Sequence, residues 1–227
     1  MLEAFLQSSY WALLVTAITY QLGLFLFKKT KLPFFHPILV SAAMVIPFLL
    51  LADIPNATYQ KSMQTISWLL TPCTVCLGIS LYTQLSKLKK HIGAILAGIA
   101  AGTAASILTV WGMSTLFSLD RALLISLLPK SVTTAMAQPL AESGGGIVAL
   151  TTCAVIVTGI LGSILGPALC KLFRLKDDIS RGVAFGTASH VVGTTKAAEM
   201  SELCGAVSSL SLVIAGILTA IAFSFIV

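Results

Sequence analysis

Apolar runs too long for a soluble core alternate along this chain with short basic connections. Six stretches carry no charged side chain and approach or exceed the roughly 20 residues that a helix needs to cross a bilayer: residues 10–27, 32–52, 62–86, 92–119, 143–170 and 203–227. Two more, 122–142 and 182–199, are apolar enough to enter lipid but hold Lys130 and Glu142 in the first, and His190, Lys196 and Glu199 in the second. The pattern predicts an all-α polytopic membrane protein with about six full transmembrane helices plus two re-entrant or broken-helix hairpins.

Composition leaves that class unchanged and removes others. The chain is 57% hydrophobic and only 10% charged, with a mean hydropathy of +0.98, which excludes an ordinary soluble domain. A net charge of +6 does not indicate nucleic acid here, because the basic residues sit in short connections between spans. Lys28, Lys29 and Lys31 follow the first span, Lys87, Lys89 and Lys90 the third, and Lys171, Arg174, Lys176 and Arg181 the 143–170 span. These ten of the fourteen basic residues place three loops on the cytoplasmic side of the cell (inner) membrane and the N-terminus outside. Glu3 stands where a secretory signal is basic, so the first span is expected to remain in the mature protein. An odd cysteine count of 5 argues against a disulfide framework, and the CxxC at Cys73 and Cys76 has membrane-like flanks and no second ligand pair.

Loop charge also decides how many times the chain crosses. If 122–142 spanned, the Lys171 to Arg181 connection would fall outside, against the charge rule. That stretch is therefore expected to be a hairpin opening from the outer side. The 182–199 stretch starts from inside, and is its mirror if it too is re-entrant. An offset of 57 positions supports the pairing: it matches Glu142 with Glu199, Ala141 with Ala198, Ala149 with Ala206, Gly159 with Gly216, Ile160 with Ile217 and Leu161 with Leu218, and sets Thr151 and Thr152 on Ser208 and Ser209. Residues 1–227 are expected to form a single membrane domain, with 1–119 as scaffold helices and 120–227 as an inverted hairpin-plus-helix repeat, an arrangement that places transporter sites near the midplane.

The chemistry lies in the two interruptions. The first offers Pro129, Lys130, Ser131, Thr133 and Thr134; the second runs from Gly186 to Lys196 and offers Ser189, His190, Gly193, Thr194, Thr195 and Lys196. Glycine and proline stop regular helix, and Ser and Thr satisfy freed backbone groups. Each tip can then present a half-helix N-terminus that favours an anion, with Lys130, Lys196 and protonated His190 adding full charge. A small carboxylate fits that environment. The same hydroxyls also serve close helix packing, and Lys130 and Lys196 can instead snorkel or pair with Glu142 and Glu199. Pro129, Glu142 and Glu199 are read as hinge or capping residues. No nucleophile elbow, phosphate loop, metal-ligand set or cofactor motif is present, so the expectation is no enzyme, no metal and no cofactor.

The LLPKSVTT and GTASHVVGTTKAAE segments, TGILGSILGP at 158–167 and GAVSSLSLVIAGILTA at 205–220 closely resemble the LrgB/CidB family of membrane proteins over nearly the whole chain. Ala135 and Val148 stand where the family commonly has proline, which bears on hairpin geometry. The resemblance implies two functions. One is holin-like or antiholin-like modulation of murein hydrolase activity and autolysis, beside a separately encoded LrgA/CidA-type membrane subunit. The other, drawn from the plastidial glycolate/glycerate transporter, is transport of small monocarboxylates of the pyruvate, lactate, glycolate or glycerate class. Two opposed, cation-bearing hairpins favour a secondary transporter or facilitator working by alternating access, as a homo-oligomer in the lipid bilayer, over a passive pore.

Overall fold

The computed structural model describes residues 10–30, 35–69, 72, 75–76, 82 and 89–227. Among them are nine helices and no strand: α1 Trp11–Thr30, α2 Pro37–Leu51, α3 Asn56–Trp68, α4 Ile92–Leu116, α5 Arg121–Leu127, α6 Thr134–Ser143, α7 Val148–Leu172, α8 Asp178–Met200 and α9 Glu202–Ile226. Four of them, α1, α4, α7 and α9, are long and apolar enough to cross a membrane. The 32–52 window becomes the shorter α2 of 15 residues, and the 62–86 window lies mostly outside the described residues, Cys73 included. Its described beginning belongs to α3, which starts earlier, at Asn56, and is polar on average.

The chain forms two compact units, Met1–Cys76 and Leu77–Val227. In the first, Pro37 starts α2, where its missing N–H and fixed φ suit a first helical turn. Gly23 lets α1 meet that turn, since a Cβ there would come 2.9 Å from the Pro37 backbone. A buried Thr19–Ser41 hydroxyl bond of 2.9 Å ties α1 to α2, and Thr16 bonds the Tyr59 hydroxyl of α3 at 2.7 Å.

In the second unit α4 and α9 run in the same direction. Ile95 and Ile99, early in α4, pack with Val207 of α9, together with Ile179 and Val183 of α8. Later in α4, Ile107 and Val110 join Ile125, Leu128 and Phe223 near the end of α9. Between these layers the chain twice doubles back.

The first reversal joins α5 to α6. Asp120 caps α5 by accepting the Leu123 N–H at 2.8 Å, and after α6 the chain returns to the last turn of α5: the Ile147 N–H donates to Ser126 Oγ at 2.7 Å. This hairpin opens where α9 finishes, because Arg121 donates to the Val227 carbonyl at 2.9 Å.

The second reversal is α8 itself. Its backbone leaves helical geometry at Ser189 (φ −133°, ψ 15°) and His190 (φ 42°, ψ −138°). The Ser201 hydroxyl then donates to Asp178 at 2.8 Å across 23 positions, whereas a straight helix would hold these residues about 34 Å apart. Residues 182–199 are thus a helical hairpin, opening where α9 begins. Each arm of α8 is about eleven residues or roughly 16 Å long, about half the hydrocarbon thickness. The two hairpins open at opposite ends of the 25-residue α9, giving the inverted arrangement that loop charge and repeat spacing predict.

Candidate functional site

Both hairpin tips converge on one turn of α7. From the first, Val132 and Ala137 pack with Val155. From the second, the His190 ring donates through Nε2 to the Val155 carbonyl at 2.9 Å. A carbonyl only accepts, so Nε2 carries the proton. The second tip fits because α7 is glycine-rich where it passes: a Cβ at Gly159 would fall 2.5 Å from His190 Cε1, and one at Gly162 would overlap the Ser189 hydroxyl.

The first tip carries a cation held by hydroxyls. Lys130 Nζ donates to Ser131 Oγ at 3.1 Å and reaches Ser106 Oγ of α4 at 3.5 Å, while the two serine hydroxyls bond each other at 2.9 Å. Among the described residues the ion pairs are Arg181–Asp178 and Lys196–Glu199, so no carboxylate balances Lys130. Pro129 is fully buried, and its carbonyl accepts the Val132 N–H at 3.2 Å to shape the turn. Thr133 is the N-cap of α6 without a side-chain capping bond, and its carbonyl accepts from Met136 and Ala137 at 2.9 and 2.8 Å. Thr134, the first residue of α6, is half-buried.

At the second tip Ser189, His190, Gly193 and Thr194 come together and are buried. Gly193 permits the reversal: a Cβ there would lie 2.5 Å from Ser189 Cβ and 2.9 Å from the Phe185 carbonyl. Thr194 bonds the His190 carbonyl at 2.9 Å and Ser208 of α9 at 2.8 Å. A similar bond in the first half, one position out of the register set by the 57-residue offset, is Gln138 donating to Thr152 at 2.9 Å. Each bond spans 14 positions and ties a returning hairpin arm to the helix that follows it.

Other sequence candidates lie elsewhere. Thr195 is exposed and bonds its own helix at the Val192 carbonyl, 2.8 Å away. Lys196 pairs with Glu199 at 2.7 Å on the outer side of the returning arm, and is not brought to either tip. Glu142 is exposed at the end of α6, which Gly144 and Gly145 (φ +80°) terminate. At the base of the second hairpin, the Ser180 backbone N–H holds the Asp177 carboxyl below its ordinary value. Among the described residues no three His, Cys, Asp or Glu side chains gather as metal ligands.

Ser106, Gln138, Thr152 and Ser208 complete the polar contacts of the two tips, and sequence reasoning did not assign them to the site. The repeat offset matched Thr152 with Ser209 and Ser208 with Thr151, as similar residues only. Nothing marks Ser106, since serine within a membrane helix usually serves packing or its own backbone.

The model of the LrgB-like family matches residues 16–227. The chain is 37% identical over 213 residues to proteins named antiholin-like protein LrgB from Bacillus mycoides (strain KBAB4), Bacillus cereus (strain B4264) and Bacillus anthracis (strain CDC 684 / NRRL 3495). In each case the match covers 93% of both chains. No solved structure matches. The chain belongs to the LrgB-like family, and its apolar helices are those of a membrane protein.

Proposed function

We propose that this LrgB-like protein is an antiholin-like modulator of murein hydrolase activity and autolysis, acting in the cell membrane beside an LrgA/CidA-type membrane subunit and as a homo-oligomer. The observation that supports this reading is 37% identity with antiholin-like relatives across 93% of both lengths, which leaves no room for a different domain in most of the chain. In bacteria that overexpress the chain, zymograms are expected to show weaker murein hydrolase bands and cultures to lyse more slowly, with the reverse after its removal. Unchanged bands and unchanged lysis in both strains would overturn the reading.

A second reading is favoured by a different observation: two hairpins opening at opposite ends of α9 bring their tips to Val155. That geometry suits a secondary transporter or facilitator of small monocarboxylates, with each hairpin gating one side in alternating access. In this reading the Lys87 to Lys90 and Lys171 to Arg181 connections face the cytoplasm. Vesicles holding the purified protein should then take up labelled pyruvate, lactate or glycolate with saturation and without releasing an enclosed dye. Linear uptake with dye release identifies a lesion instead.

A further inference from the structure

We propose that α4 and the first hairpin together form an anion-binding site, in which Lys130, Ser131 and Ser106 grip the two oxygens of a small carboxylate. This assignment rests on the transport reading above for its ligand class, but binding at the site and passage across the membrane are separate properties. Ser106 enters because its hydroxyl contacts both other groups, at 2.9 Å to Ser131 and 3.5 Å to Lys130.

Counting donors shows what the cluster lacks. An ammonium has three N–H groups and each serine one O–H, five donors against four acceptor lone pairs. Two ammonium protons go to the serines, and one hydroxyl donates to the other. One N–H and one O–H remain within the same cluster, with a full positive charge that no described carboxylate neutralises. A hydroxyl pair cannot cancel that charge, and an unbalanced cation at membrane depth is strongly disfavoured. A ligand with two acceptor oxygens and one negative charge satisfies both donors and the charge at once.

The surroundings favour a small guest. Ser131 is buried, Val132 beside it is 2% exposed and Leu128 is 2% exposed, so the tip offers little room beyond Lys130, which is half-buried as a residue. Thr103, three positions before Ser106 on α4, is also buried and its hydroxyl has no partner. The α4 helix thus carries a second polar group into the interior of this unit, although its sequence reads as a plain span.

Isothermal titration of the purified full-length protein with pyruvate tests the site directly. Binding is expected for the wild type, abolished in Lys130→Gln, retained in Lys130→Arg, and weakened roughly tenfold in Ser106→Ala, the usual effect of losing a hydrogen bond near a charge. Ser106→Thr keeps the hydroxyl and should keep binding, which separates loss of the group from loss of fold. Thr109→Ala, an exposed hydroxyl bonded to its own helix at 2.7 Å, should match the wild type. Absence of pyruvate binding to the wild type, or equal binding by Ser106→Ala, overturns the site. Binding with this pattern but without uptake in vesicles overturns transport alone and leaves the site standing.

Discussion

Leucine at Gly186 is expected to abolish the folded protein in detergent extracts, leaving no monodisperse peak on size-exclusion chromatography. The first arm of α8 lies against α9 so closely that a Cβ at 186 would overlap the Ser208 carbonyl oxygen, and would come 2.7 Å from Ser211 Cβ and 3.1 Å from the Leu212 nitrogen. Two of these three are backbone atoms within a 25-residue helix, and they cannot swing aside as a side-chain end can. Overpacking typically costs about 1–3 kcal/mol and more where backbone must shift, a large share of the roughly 5–15 kcal/mol that holds a domain together. Gly93→Leu is the matched control, because nothing lies within 4 Å of a Cβ there. If the two variants elute and melt alike, the first arm of α8 does not pack on α9 as described.

At His190, glycine is expected to be tolerated better than alanine, the reverse of their order in a regular helix, where glycine is worse by about 1 kcal/mol. The backbone there has φ 42° and ψ −138°, a region that side chains other than glycine adopt at a cost of about 1–3 kcal/mol. Both substitutions remove the 2.9 Å bond from the ring to Val155 and the packing on Gly159. Together these should lower stability by about 2–4 kcal/mol for alanine. Glycine loses the same contacts but sheds the strain, so melting temperatures should fall in the order wild type, His190→Gly, His190→Ala. Alanine melting above glycine would mean that the helix runs regularly through position 190, and the hairpin would be wrong.

Much of this arrangement was legible because charge in lipid is rare and loop charge carries direction. Lys130 and Pro129 marked the first tip, and the positions of Lys171, Arg174, Lys176 and Arg181 required that stretch to turn back. The offset that joins Glu142 to Glu199 found the second hairpin, although whether it spanned or returned stayed open at that point. The exact turn was not readable. Gly186 and Gly193 look like helix breakers, yet both lie in helical arms and serve close approach. The reversal falls on Ser189 and His190, which signal a turn less strongly than the glycines on either side of them. Lys196 looked like a second site cation, but the i, i+3 spacing to Glu199 gives it a local partner. Ser106 was silent for a different reason: its role exists only through tertiary contact with a hairpin 25 positions away.

The dependence of the α8 hairpin on α9 also has a meaning for biosynthesis. Gly182 and Gly186 fit against Cys204, Val207, Ser208 and Ser211, and Thr194 finds Ser208, all of them in the helix that leaves the ribosome after α8. At about 5–20 residues per second, the interval between completing α8 and completing α9 is of the order of one to five seconds. Throughout it, the nascent chain carries a polar, glycine-notched segment whose docking surface has not been made. The hairpin must therefore be held by the insertion machinery or by α4 and α7, and ribosome stalling inside α9 would leave a product open to membrane quality-control proteases.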